Sequence, residues 1–208
     1  MTPRTRRDGT MRQLMLTIGL VAAGLPALAE TPPPGLYRVA GVETKLNVRA
    51  EPSREAALVG ALAPGDADIE VVGVDPSGGW GRINIGEGTG WVSLDFLESQ
   101  GDLWAADALP GRLRCFGTEP FWGVARDGDT LVRSGVDATD RALTIDTVTG
   151  AEGSGSRVVV ARDKDGAITL GIAPEQCSDG MSDRAFGLGA RLSEGDAPAL
   201  IGCCSVAP

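Results

Sequence analysis

The sequence predicts an all-β chain made of two small antiparallel barrels or curved sheets. Three observations carry this. Short runs with period-two alternation recur along the chain and are bounded by Gly, Asp and Pro. The 30 glycines and 13 prolines supply turn residues throughout, with only four Phe, four Trp and one Tyr. No long stretch repeats with the 3.6-residue period of an amphipathic helix. The four cysteines, Cys115, Cys177, Cys203 and Cys204, all fall in the second half. That asymmetry favours two modules over one.

The first segment is a targeting signal. Arg4, Arg6, Arg7 and Arg12 precede an apolar run from Leu14 to Leu28, interrupted by Gly19, Gly24 and Pro26. Ala27-Leu28-Ala29 is a small-residue cleavage pattern, so residues 1–29 read as a secretory signal peptide cut between Ala29 and Glu30. The run falls short of the roughly 20 unbroken apolar residues a membrane span needs, so no stable membrane anchor is expected after cleavage. Met11 is an alternative start that gives a well-formed signal. The expected location is periplasmic or secreted.

The chain carries 19 basic and 28 acidic residues, a net charge of −9. Removing residues 1–29 takes away four Arg and one Asp. That leaves 15 basic and 27 acidic residues, or −12. An acidic surface repels nucleic acid and anionic lipid, so neither is an expected partner. Solubility alone explains this charge.

Residues 30–35 form a Pro-rich lead-in, and the first module spans 36–99. Leu46 and Val48 alternate with Asn47 and Arg49, as in a half-buried strand. Pro52-Ser53 turns the chain. Leu58 to Leu62 is followed by Pro64-Gly65, a turn signal. Ile69, Val71 and Val72 form a strand ended by Asp75-Pro76-Ser77-Gly78-Gly79. Trp80, Ile83 and Ile85 lead into the glycine-rich hairpin Gly86 to Gly90. Trp91-Val92 opens the last strand, with Trp91 assigned to the core, and Phe96-Leu97 closes the barrel.

The order L-N-V-R-x-x-P-S, L-x-P-G, G-W-x-x-I, G-W-V and F-L resembles the bacterial SH3 family over about a third of the chain. The resemblance implies an SH3-like small barrel that binds peptides or cell-wall material in a groove formed by its loops. The matching positions are Asn47, Arg49 and Trp80, with Glu51 as a weaker addition. Arg49 reads first as a solvated outer-face charge and second as a ligand clamp. Trp80 suits a core role and a ligand contact equally.

Residues 100–111 break the strand pattern and read as a linker, with room for one helical turn at Leu103 to Ala108. The second module spans 112–208. Its strands begin at Leu113 to Phe116, then flank the hairpin turn Arg126-Asp127-Gly128-Asp129. Ala142 to Val148, Val158 to Val160, Ile168 to Ile172, Ala185 to Leu192 and Ala199 to Cys204 follow. Seven or eight strands in up-and-down order suggest a second antiparallel β-barrel or a strongly curved sheet. Barrel closure would bring the last strand beside the first, so Cys115 and Cys177 are each expected to bond one member of the Cys203–Cys204 pair. Which pairs with which stays open.

The pieces C-x-G-T-E-P-F-W (Cys115 to Trp122), C-S-D-G-M-S-D-R (Cys177 to Arg184) and Gly202-Cys203 resemble an uncharacterised family of bacterial envelope proteins. Members of that family have three cysteines here, so Cys204 is a departure. The resemblance implies no activity.

Candidate chemistry is confined to Glu119, Trp122, Asp179, Asp183 and Arg184, a possible second site. Paired carboxylates serve glycan hydrolysis when they face each other at about 5–10 Å. The plainer reading is that Asp179 and Asp183 brace a turn, helped by a helical turn after Ser178, while Arg184 pairs with Glu119 or Asp183. Trp122 reads as a plug for the barrel end ahead of a pocket wall. Ser182 has no histidine to activate it, because the chain has none. Without histidine or C-x-x-C spacing no metal site is expected. Asp163-Lys164-Asp165-Gly166 resembles the start of a calcium loop but lacks the later acidic ligand, so it reads as a hairpin turn. No cofactor and no catalytic residue are assigned. The sequence therefore favours a non-enzymatic binding protein whose partner is peptidoglycan or an envelope peptide or protein. The alternatives are an envelope hydrolase using Glu119 with Asp179 or Asp183, and an inhibitor or assembly factor for another envelope protein.

Overall fold

The first ladder begins one residue before its expected boundary. β1 (Gly35–Val39) pairs with two strands from far along the chain, β4 (Ile69–Val74) and β7 (Leu97–Ser99). The others are β2 (Leu46–Arg49), β3 (Leu58–Leu62), β5 (Trp80–Ile85) and β6 (Gly88–Ser93). The seven strands run in the order β3-β2-β6-β5-β4-β1-β7. This computed structural model describes Met1, residues 34–136 and residues 139–207. The expected leader, its cleavage point and most of the proline-rich lead-in fall in residues 2–33, outside the described residues.

The alternation read from sequence sets the faces. Leu46 and Val48 of β2 are buried, and with Val39, Val71, Ile83 and Val92 they form one small core. Asn47 and Arg49, between them, are half-buried on the other face. The same rule corrects the assignment of Trp91. Its neighbours Gly90 and Val92 are the buried pair, so Trp91 points to the opposite face and is only half-buried. The ladder leaves β3 and β7 as edges, so it wraps its core without a closed ring of hydrogen bonds.

Eight strands make the second module. They are β8 (Arg114–Thr118), β9 (Phe121–Asp127), β10 (Thr130–Gly135), β11 (Arg141–Thr149), β12 (Arg157–Asp163), β13 (Gly166–Cys177), β14 (Phe186–Glu194) and β15 (Leu200–Ser205). Each pairs antiparallel with the next in sequence, and β15 pairs with β8 to close the barrel. Alternate residues point inward: Val159 and Ala161, then Ile168, Leu170 and Ile172, then Leu188, Ala190 and Leu192. Burying each large aliphatic side chain stabilises the fold by about 1.5–3 kcal/mol. At the closure, β15 passes so near β8 that a Cβ on Gly202 would collide with the Phe116 carbonyl.

Both disulfides anchor at this closure. Cys204 lies directly opposite Cys115 across β15 and β8 and is bonded to it, and Cys203 is bonded to Cys177. Neighbouring residues on a strand face opposite ways, so adjacent cysteines reach different partners. The sequence separations are 89 and 26 residues. Chain entropy alone makes loops of this size worth roughly 4–5 and 3–4 kcal/mol.

The stretch expected to be a linker is packed structure. It carries no strand, and no helix forms over residues 103–108. Trp104 (3% exposed) and Leu109 instead join the barrel core, and the Trp104 indole N–H donates to the Pro34 carbonyl at 2.8 Å. Arg157, 1% exposed, holds the segment down. Its guanidinium donates to the carbonyls of Ala105 (2.8 Å), Ala108 (2.7 Å), Ser156 (2.7 Å) and Ala151 (3.2 Å). It also sits 5.3 Å from the Trp104 ring centroid, within cation–π range. Backbone dipoles surround a buried cation here, in place of a carboxylate. Burial pulls the Arg157 pKa down, opposed by the more distant Asp107 and Asp102.

The strands of both modules belong to one compact unit, joined along a polar seam. Glu70 of β4 is buried, and its carboxylate accepts from the Ser205 hydroxyl and from the Val206 (3.1 Å) and Ala207 (3.4 Å) N–H groups. Burial raises the Glu70 pKa, against the opposing effect of those donors and of Arg184 nearby. Asn84 of β5 bonds Ala185 twice, accepting from its N–H and donating to its carbonyl, both at 2.9 Å. Gly187 has no room for a side chain, because a Cβ would lie 2.5 Å from the Val72 carbonyl oxygen.

Arg157→Leu is expected to lower unfolding free energy by at least about 3 kcal/mol in urea titrations, because several buried carbonyls lose their donors. Arg157→Lys should recover only part, since an ammonium lacks the planar fork.

At the barrel rim Arg141 forms a two-pronged ion pair with Asp163, both contacts at 2.8 Å, and also bonds Glu194. The Arg141 guanidinium holds the Asp163 carboxyl well below its ordinary value, against burial and with help from the Asp165 and Gly166 N–H groups. Asp163 therefore contributes stability that is complete above the ordinary aspartate pKa, about 4. That contribution fades as pH falls towards the folded-state value. Wild type should lose stability across that acid window more steeply than Asp163→Asn, and the variant should be the less stable at pH 7. Thermal midpoints measured at a series of pH values check both points.

Candidate functional site

The three positions singled out in the first module meet in one place. Asn47 and Arg49 of β2 and Trp80 of β5 line a single groove of about 290 Å³. Period-two alternation puts Asn47 and Arg49 on the same strand face, away from the core that Leu46 and Val48 enter. Trp80 follows the turn Asp75–Gly79. There the Asp75 carboxylate accepts from the Ser77 hydroxyl (2.6 Å), the Ser77 N–H (3.0 Å) and the Trp80 N–H (2.8 Å). The Ser77 hydroxyl leads in holding the Asp75 pKa below its ordinary value, against burial. A braced turn thus delivers Trp80 to the rim.

Sequence reasoning missed the rest of the lining. Lys45, Leu46, Arg54, Ser93, Phe96 and Val42 complete the groove, while Glu51 is exposed and outside its lining. A signal was available: Lys45, Arg49 and Arg54 put three cations within ten residues of an acidic chain. What one strand and one loop cannot reveal is that Phe96, from the short 3₁₀ turn Leu94–Phe96, comes back to the same face.

Two features of the groove are chemically open. The Asn47 side-chain oxygen is buried with no hydrogen-bond partner. Arg49 is half-buried and anchored at one end, donating to the Ala56 carbonyl at 2.7 Å. Among the described residues none of the three cations forms an ion pair. Glu55 is the nearby carboxylate, outside the lining. The Ser53 hydroxyl engages it at 2.7 Å and leads in lowering its pKa, with smaller contributions from Arg49 and Arg54.

The candidate residues of the second module line adjoining hollows that share Asp179, Ser182 and Arg184. Asp179 and Arg184 line a cleft of about 460 Å³ with Arg114, Ser182 and Ser205 of the barrel and Glu87 of the first module. Asp183 lines a different hollow beside Arg82. Glu119 is exposed and belongs to neither lining. Thr118, next to Glu119 in the chain, donates from its hydroxyl to the Asp179 carbonyl at 3.0 Å. Asp179 braces a turn, as expected. Its carboxylate accepts from the Met181 N–H (3.0 Å), the Ser182 N–H (2.9 Å) and the Ser182 hydroxyl (2.9 Å). Burial alone would raise its pKa, and the hydrogen bonds outweigh it to bring the value down.

Two expectations for this stretch are corrected. No helical turn forms after Ser178, because the Asp179 side chain satisfies the local N–H groups without one. Arg184 forms no ion pair with Glu119 or Asp183, and the carboxylate that feels its charge is Glu70. Trp122 is buried in the barrel core and donates from Nε1 to the Ile201 carbonyl at 3.3 Å, while its neighbour Phe121 is exposed.

Residues 44–98 match the family model of the bacterial SH3 domain. The match covers the strands from β2 to the middle of β7, and so includes every residue of the groove except Val42. That family is one of binding domains. No curated protein matches the chain significantly.

The two asparagines separate site from scaffold. Asn84→Ala strands both polar groups of Ala185 and should reduce stability by about 1–3 kcal/mol. Asn47→Ala removes an acceptor that has no partner and should leave stability unchanged or raise it by up to about 1 kcal/mol. Chemical denaturation of the two variants beside wild type checks the contrast.

Proposed function

We propose that this chain is an extracytoplasmic binding protein whose SH3 module recognises the peptide part of peptidoglycan. The groove of Asn47, Arg49 and Trp80 is the binding site, and the chain is not an enzyme. One observation carries the reading. Three residues picked out by sequence, two on β2 and one on β5 of a module that matches the bacterial SH3 domain, line one groove with an aromatic wall and cations that form no ion pair among the described residues. Such a groove binds by shape and a few polar contacts, with modest single-site affinity. The two disulfides suit an oxidising compartment, where peptidoglycan is accessible. The barrel, locked to the SH3 module through Glu70, Asn84 and Gly187, serves as a rigid support.

The test is co-sedimentation of the oxidised chain from Glu30 onward with purified peptidoglycan sacculi. Wild type is expected to pellet with the sacculi. The Asn47→Ala/Arg49→Ala/Trp80→Ala variant, with folding verified by circular dichroism, is expected to stay in the supernatant. Equal pelleting of both proteins would overturn the groove assignment, and failure of wild type to pellet would overturn wall binding.

A further inference from the structure

We infer that the SH3 groove selects for negative charge: its ligand is a peptide that presents free carboxylates beside its backbone amides. The inference rests on the wall-binding reading above and adds the chemical class that the groove accepts.

The whole chain carries −9, yet the groove lining contains Lys45, Arg49 and Arg54 and no carboxylate. On this acidic surface some cations are drawn into pairs with neighbours. Arg38 pairs with Glu98, Arg112 with Asp68, Arg141 with Asp163 and Glu194, and Arg162 with Asp146. The three groove cations form no such pair among the described residues. Arg49 is moreover prepared for a ligand. Its bond to the Ala56 carbonyl fixes the guanidinium, so less side-chain freedom is lost when the rest of the fork engages a carboxylate.

The second observation is the Asn47 oxygen, buried and without a donor. An unpaired buried acceptor is unfavourable, and rotation of the half-buried Asn47 amide towards the groove would let it accept an incoming N–H. A carboxylate by itself has no N–H to give, and a neutral glycan does not use the cations. A peptide segment carrying an acidic side chain or a free terminus supplies both groups. Trp80 and Phe96 then form the apolar wall along which its stem can lie.

The experiment is isothermal titration of the oxidised chain from Glu30 onward with two synthetic probes. One is a wall-type stem tetrapeptide with free carboxylates. The other is the same peptide with every carboxylate amidated. The free peptide should bind at least about tenfold more tightly at low salt, and raising the ionic strength should shrink that advantage. Lys45→Gln/Arg54→Gln changes two exposed side chains and should bring the affinity for the free peptide most of the way down to that for the amidated one, Arg49 keeping the remainder. Equal affinity for both peptides, with sacculi still pelleting, would overturn charge selection and leave wall binding intact. If neither peptide binds and sacculi do not pellet, both conclusions fall.

Discussion

The fold depends on β15. This strand closes the barrel by pairing with β14 on one side and β8 on the other. Both disulfides end on it, at Cys203 and Cys204, and Trp122 bonds the carbonyl of its Ile201. Its last residue, Ser205, and the two that follow bind the buried Glu70 of the first module. A ring of strands has no stable open form, because opening it exposes two unpaired edges. The strand that completes the ring therefore carries the cooperativity of the whole module. Here it also transmits that constraint to the SH3 sheet.

This arrangement sets what each module can do. The barrel interior is filled by alternating aliphatic residues, and Asp179 braces a turn at its rim. Its rigidity is lent to the SH3 module across the seam. The groove, by contrast, is built from groups left unsatisfied: an acceptor without a donor and cations without anions. Folded proteins rarely leave buried polar atoms unpaired without a reason. At Asn47 the reason offered is a ligand.

Arg157 shows how a tertiary requirement can hide in an ordinary strand residue. It opens β12 in a Gly/Ser-rich context and reads as a surface cation. It is 1% exposed, enclosed by the carbonyls of the 105–108 segment, those of the 151–156 loop and the Trp104 ring. With the burial of Trp104 and Leu109 it holds the segment taken for a linker in place. No local pattern announces that role, because the partners are backbone carbonyls, which every residue possesses.

Much of the architecture was legible in the chain because β-structure writes its faces locally. Leu46 and Val48 against Asn47 and Arg49, or Ile168, Leu170 and Ile172, declare strand and buried face at once, and Gly, Asp and Pro mark the turns. The same alternation misled at Trp91 only where hydrophobicity was weighed above position. For the site, Asn47, Arg49 and Trp80 could be named from motif order, whereas Lys45, Arg54 and Phe96 could not, since they reach the groove from a flank, a loop and a distant turn. The sequence by itself determined the all-β class, the strand faces and the availability of four cysteines, all set by neighbours within a few residues. Tertiary structure alone decided that Cys115 bonds Cys204 and Cys177 bonds Cys203, that Arg157 is buried, and that Glu70 joins the modules. Those outcomes depend on strand register and ring closure, which bring together groups up to 137 residues apart.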